Sequence, residues 1–245
     1  MKVAVVTPVY QPNYEHLQKC IQSVVNQTHH DCFHVIVNDG SDQLSENIDS
    51  SVHCIQLPHN FNDFGDSPRA IGTLYAFAKG ADAVCFLDDD NWYLPDHIAH
   101  LIETQKRHNT PFVSSLRMLA SFEGDIFGPC MESDGYHFCD TNAMFFMREV
   151  ANIAMSWWET PPELHVIGDR VMWDNIVSSN IRFSCTDKPT VVYRTRFAHH
   201  YKLYGKAIPE DAIDGSYISA QSAKIEELQQ RAKEFAQKNF IGNKN

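Results

Sequence analysis

The chain has 245 residues, 43% of them hydrophobic and 21% charged, a balance that supports a folded core burying roughly 70 to 75% of the unfolded surface and excludes disordered, collagen-like and low-complexity classes. Thirty-one acidic residues against 20 Lys plus Arg leave a formal net charge of -11, which argues against nucleic acid as a partner and against a surface built for anionic membranes. No run approaches the roughly 20 apolar residues of a membrane span, and seven cysteines without a Cys-x-x-Cys pair fit a reducing, cytoplasmic compartment, with peripheral membrane association as the remaining alternative.

Val3 to Val6 is a short apolar run ended by Thr7-Pro8. It reads as a strand buried on both faces and is too short for a secretory leader. Tyr14, Leu17, Ile21, Val24 and Val25 then share one helix face, and Phe33 to Val37 forms a second buried strand ending at Asn38-Asp39-Gly40-Ser41-Asp42. A weaker strand over Val52 to Leu57 precedes a helix marked by Ile71, Leu74, Tyr75 and Ala78 and stopped by Gly80. Ala83 to Leu87 is a fourth strand that runs directly into Asp88-Asp89-Asp90-Asn91, after which Pro95 opens a helix carrying Ile98, Leu101 and Ile102.

Beyond residue 111 the pattern is mixed: Phe112 to Leu116 and Ala143 to Phe146 read as strands, Asp169 to Val177 as a helix. An irregular stretch around Gly205 to Gly215 leads to an amphipathic helix with Ile218, Ile225, Leu228, Ala232 and Phe235 on one face. That helix is expected either to pack on the domain or to pair with a second copy as a homodimer. The chain therefore divides into 1–110, a Rossmann-like α/β half; 111–205, a second half of the same domain; and 206–245, a C-terminal extension.

Alternating strands and helices over the first 110 residues imply an open, largely parallel sheet, and ligands of such sheets gather at the strand ends. Thr7, Asp39 and Asp88 to Asp90 all fall there. Three consecutive carboxylates repel one another unless a cation compensates them, and oxygen-only ligands favour Mg²⁺ or Mn²⁺. An isolated acidic triplet reads equally well as a solvated turn before the next helix.

The segments Val5-Val6-Thr7-Pro8-Val9-Tyr10, Val37-Asn38-Asp39-Gly40-Ser41-Asp42 and Phe86-Leu87-Asp88-Asp89-Asp90-Asn91 together resemble, in order and spacing, the three signatures of the family 2 glycosyltransferases, and most closely the spore-coat polysaccharide type. The resemblance implies the GT-A fold: a Rossmann-like nucleotide-binding half with a mixed central sheet, fused to an acceptor-binding half. It further implies that Thr7, Pro8, Val9, Tyr10 and Asp39 hold the nucleotide base, commonly uracil, that Asp88 or Asp89 contacts ribose, and that Asp90 binds Mn²⁺ or Mg²⁺. Ser67-Pro68-Arg69 resembles the family's small-residue-then-Arg element, with Ala70 where an Asn often follows. Arg69 suits a diphosphate through paired charge-assisted hydrogen bonds.

Ile167-Gly168-Asp169-Arg170, with Trp173 beyond it, resembles the segment that carries the catalytic base, which would be Asp169, with Glu159 and Glu163 as alternatives. His199-His200 falls where several GT-A enzymes close a loop over the diphosphate, implying metal or phosphate contact, and one of Trp157-Trp158 is the expected flat face for a sugar. The resulting expectation is an inverting, metal-dependent transfer of a sugar from a nucleotide diphosphate, UDP foremost, to an acceptor hydroxyl on a glycan or small molecule. Two rivals remain from the residues alone: a GT-A domain that binds sugar nucleotide or glycan without turnover, and Asp-x-Asp phosphoryl transfer of the haloacid dehalogenase type. The second sits poorly with Trp92 after the acidic run and with the motif's place after the fourth strand.

Overall fold

Strand β1 (Val3–Val9) lies between two parallel neighbours, β2 (Cys32–Asn38) and β4 (Ala83–Phe86), with β3 (His53–Gln56) parallel at the outer edge of β2. A strand paired on both edges and covered on both faces has no solvated side, which is why Val3 to Val6 are apolar without alternation. The computed structural model describes residues 1–41, 52–216 and 221–242; Asp42 and Ile218 of the sequence reading lie outside them.

Helix α1 (Tyr14–Val25) starts at Asn13, whose side chain accepts the backbone N–H groups of Glu15 and His16, and it buries Leu17, Cys20, Ile21 and Val24. Helix α2 (Asp66–Ala78) packs close to the sheet through Gly72, where a Cβ would stand 2.4 Å from Val6 Cγ1 and 3.0 Å from Val37 Cγ2. The contact sets how near the helix, and every residue on its first turn, lies to the ends of β1 and β4. Helix α3 (His97–His108) follows the short strand β5 (Trp92–Tyr93) and begins two residues after Pro95.

After β4 the sheet ceases to be parallel. Strand β8 (Met144–Met147) pairs antiparallel with β4, and β6 (Phe112–Ala120) antiparallel with β8; β9 (Phe183–Arg194) runs parallel to β6, and β5 antiparallel to β9. The order among the described residues is β3-β2-β1-β4-β8-β6-β9-β5, with β7 (Ile126–Pro129) paired to β6. The parallel reading thus holds for the first four strands, and the mixed central sheet expected from the family resemblance is present. Both halves share one core, in which Val5, Phe86, Phe112, Phe146, Trp173 and Phe183 are all buried.

Strand β9, absent from the sequence reading, is interrupted by Asp187-Lys188-Pro189, with Asp187 at φ 55° and register shifts opposite Ser114 to Arg117. That break hides the strand's period from the sequence. Short helices α4 (Ala151–Ala154) and α6 (Ala198–Leu203) and the longer α5 (Gly168–Ser178) complete the second half. The last helix, α7 (Ser222–Asn239), spends its apolar stripe on the domain itself: Ala232 and Ala236 join the main core, Leu228 packs with Leu164 and Ile167, and Arg231 pairs with Asp174 at 3.2 Å. The face expected to serve a homodimer is therefore covered from within the chain. No helix among the described residues is long and apolar enough to cross a membrane.

Candidate active site

Because β1, β2 and β4 are parallel, their C-terminal ends open on one edge of the sheet. There a cavity of about 510 Å³ is lined by Pro8 and Val9 at the end of β1, Tyr10 just after it, Asp39 after β2, Asp88 to Asn91 after β4, and the loop from Asn60 to Gly65. Asp39 is 5% exposed, and its Oδ1 accepts the Phe61 backbone N–H at 3.1 Å. Burial raises its carboxyl above the ordinary range, against the pull of that bond. Thr7 does not line the cavity: its hydroxyl is fully buried and lies 2.7 Å from His34 Nε2, supporting the strand end from below.

Arg69, on the second turn of α2, is buried and already engaged. Its guanidinium lies 2.6 Å from Asp88 Oδ1 and 3.6 Å from Asp66 Oδ1, and it donates to the Phe64 carbonyl at 3.0 Å. The other Asp88 oxygen accepts from Asn142 Nδ2 at 2.9 Å, and the Asp88 backbone N–H donates to Asn142 Oδ1 at 2.6 Å. Asn142 is held in turn by Asp140, which pairs with Arg117 at 2.6 Å. Asp88 is thus fixed by a buried network reaching from α2 through the turn before β8 to β6.

Asp89 and Asp90 are less well compensated. Burial first, and then repulsion from the neighbouring aspartates, lifts the Asp89 carboxyl to about 8 and Asp90 to about 7, with Arg194 acting in the opposite sense on Asp90. Crowded carboxylates that resist ionisation near neutral pH, with only oxygen donors on offer, fit a hard divalent cation shared with a phosphate ligand. Mg²⁺ or Mn²⁺ therefore suits the chemistry of the residues present.

A second, larger cavity of about 830 Å³ adjoins the first across Phe64, Arg69, Asp88 and Tyr193. Asp169 opens into it from the first turn of α5. Its Oδ1 accepts the Arg170 N–H at 2.8 Å, and burial raises its carboxyl despite the nearby Arg170 charge. Beside it, Asp66 is buried against Gly168, where a Cβ would stand 2.9 Å from Asp66 Oδ1, and it pairs with His165 Nδ1 at 2.8 Å. Burial pushes Asp66 up to about 6. Phe64, at φ 56° and 68% exposed, stands at the junction of the two cavities, a conformation that costs about 1–3 kcal/mol in a bulky residue.

His199 and His200 line the larger cavity, whereas Asp90 lines the smaller one. Instead of joining the aspartates, both histidines face Glu132, at 3.0 Å and 3.3 Å. A bond from His200 draws the Glu132 carboxyl down to about 2, outweighing burial. Burial acts to raise the nearby Cys130 thiol, yet bonds from His200 and Arg117 bring it to about 7. Of the tryptophans, Trp157 is buried beneath the Arg69 guanidinium at 5.1 Å. Trp157 lines the larger cavity, whereas Trp158 is exposed and lines neither, and the aromatic residues shared by both cavities are Phe64 and Tyr193. Glu159 and Glu163 are exposed and line neither cavity.

Sequence reasoning missed Asp66, Arg117, Asp140, Asn142, His165 and Tyr193. Asp66 carried a usable signal, since it stands three residues before Arg69 and shares its helix face. The turn Asp140-Thr141-Asn142, immediately before an expected strand, carried another.

Residues 4–154 match the family model for glycosyl transferase family 2. The chain belongs to this family, and its fold is the GT-A fold. No protein of curated function matches it by sequence. Among solved structures it is similar to S. aureus TarS 1-349 in complex with UDP, with a TM-score of 0.62 and 16% identity over 83% of this chain and 63% of that one. It is also similar to TarS 1-349 in complex with UDP-GlcNAc, with a TM-score of 0.59 and 15% identity over 82% of this chain and 61% of that one. The chain thus spans less than two thirds of those neighbours, and at such identity the likeness is one of fold.

Proposed function

We propose that this chain is an inverting, metal-dependent glycosyltransferase that moves a sugar from a nucleotide diphosphate, UDP foremost, to an acceptor hydroxyl in glycan or polysaccharide synthesis. The observation that carries the reading is the junction of the two cavities at Arg69 and Asp88, with a base-sized cleft behind the aspartates on one side and a desolvated carboxylate, Asp169, on the other. The UDP and UDP-GlcNAc named with the similar TarS structures support the choice of donor.

In this reading Asp39 accepts a hydrogen bond from the base, Pro8, Val9 and Tyr10 wall the cleft, and Asp88 or Asp89 holds the ribose. Arg69, fixed by Asp88 and Asp66, presents positive charge toward the diphosphate. A divalent ion on Asp90, when bound, supplies Lewis-acid stabilisation of charge on the departing diphosphate. Asp169 takes the proton of the acceptor hydroxyl as its oxygen attacks the anomeric carbon. The bond from that carbon to the diphosphate oxygen breaks on the opposite face and its electron pair leaves with the nucleotide, so one displacement inverts the centre. A carboxyl raised by burial is a better base for this step than a solvated one.

Calorimetric titration with UDP tests the donor half of the assignment. Affinity should rise clearly with Mn²⁺ over EDTA, and Asp90→Ala should lose that difference while still folding. Equal UDP affinity with and without metal in the unmodified chain would refute it. A purely binding domain would show donor affinity with neither hydrolysis nor transfer across a broad acceptor panel, an outcome the intact pair Asp90 and Asp169 argues against.

A further inference from the structure

The Sγ of Cys130, a carboxylate oxygen of Glu132 and a ring nitrogen of His200 lie within 4.8 Å of one another. We propose that these three side chains form a second metal site, for a zinc-class divalent ion, separate from the donor-side aspartates and independent of the reading of those aspartates. Thiolate and imidazole are the soft and borderline donors that Zn²⁺ prefers, and they distinguish this cluster from the oxygen-only group at Asp88 to Asp90.

Two further features point to a metal. His200 is 2% exposed, and its Nδ1 lies 2.6 Å from Thr195 Oγ1, which also accepts the Phe197 N–H at 3.1 Å. Thr195 Oγ1 holds Nδ1, which leaves Nε2 as the ring nitrogen turned toward Glu132 Oε2 at 3.3 Å. A cation here takes Nε2, the Glu132 carboxylate and the Cys130 sulfur as ligands in place of the bond between His200 and Glu132.

The ligands are also pre-placed. Cys130 donates its backbone N–H to Arg117 at 2.8 Å, and Thr195 donates its own to Ala120 at 2.9 Å, so both ligand-bearing segments are pinned to β6. The nearby Arg117 charge is already paired with Asp140 at 2.6 Å.

Binding releases the Cys130 thiol proton to solvent and ties the segment after β7 to the start of α6. Three protein ligands leave one position for a water or a substrate oxygen. It opens on the larger cavity, whose wall includes Glu132, His199 and His200.

Cobalt is the probe that tests this, because Co²⁺ in a four-coordinate thiolate site gives intense visible bands and a near-ultraviolet sulfur-to-metal charge-transfer band. The full chain, stripped of metal and titrated with CoCl₂, should show both at one equivalent, with Zn²⁺ displacing them. Cys130→Ser should abolish the charge-transfer band and weaken Zn²⁺ binding at least tenfold, and Asp90→Ala should leave the spectrum unchanged. A spectrum from the unmodified chain without the charge-transfer band overturns the site, whatever the variants do. A band that persists in Cys130→Ser, or one lost in Asp90→Ala, overturns it as well. UDP titrations with Mn²⁺ report on the aspartates alone, so failure there leaves the cobalt result standing.

Discussion

Burial and charge pull Asp169 in opposite directions, and burial prevails over Arg170, leaving a carboxyl whose affinity for a proton suits a base rather than a structural ion pair. Asp169→Asn keeps the side-chain shape and its bond to the Arg170 amide but removes the base. At saturating donor the variant should lose about 10² to 10⁴ in transfer rate while binding the metal nucleotide nearly as before. Near-normal transfer would remove Asp169 from the role and move attention to His165, which shares the cavity and is held by Asp66. Asp89 makes a separate prediction. Its folded value near 8 lies above the ordinary 3.8, so the folded state keeps a proton that the unfolded chain releases, and stability is lost as pH rises from about 4 through 8. In EDTA the melting temperature of Asp89→Asn should therefore gain on that of the unmodified chain between pH 5 and 8, and Mn²⁺ should narrow the gap. A difference that stays flat across that window would mean the carboxyl is ordinary.

At the scale of elements, α2 is the lever of the site, since it carries Asp66 and Arg69 and is drawn against β1 and β2 by Gly72. A methyl group at Gly72 meets Val6 and Val37 side chains that are themselves buried and packed, so the helix must lift. Gly72→Ala should cost about 1–3 kcal/mol in urea denaturation, as overpacked cores do, and should weaken UDP binding because Arg69 moves with the helix. Stability within about 0.5 kcal/mol of the unmodified chain would show that the contact yields easily.

For the whole molecule, α7 belongs to the same cooperative unit as the sheet, through Ala232 and Ala236 in the core, the Asp174 to Arg231 pair and the bridge from Phe183 to Phe240. Ala236→Asp places a charge in that core and should cost about 3 kcal/mol or more, seen as a lower urea midpoint with one transition. If α7 served mainly to pair two copies, the same change would shift the size-exclusion volume and leave the monomer's midpoint in place. The net charge of -11 and the acidic cleft oppose an anionic ligand, so in the proposed reading a cation that accompanies the nucleotide offsets that field at the scale of the whole molecule.

The sequence by itself determined the first half of the protein. Apolar runs at Val3, Phe33 and Ala83 read as doubly covered strands, and parallel strands present Asp39 and Asp88 to Asp90 at a common edge, so the place of the cleft was legible from local pattern, while its proposed donor role came from the family resemblance. Tertiary structure decided the rest, because those relations join residues far apart in the chain whose types are ordinary when read alone. Asp66 meets His165, Arg117 meets Asp140, and Asn142 meets Asp88 only once β8 and β6 reverse the direction of the sheet. The same reversal places His200 beside Cys130 and Glu132 rather than beside Asp90. A period of two or 3.6 records which face of an element is buried, and it is silent on which distant side chain waits on the other side.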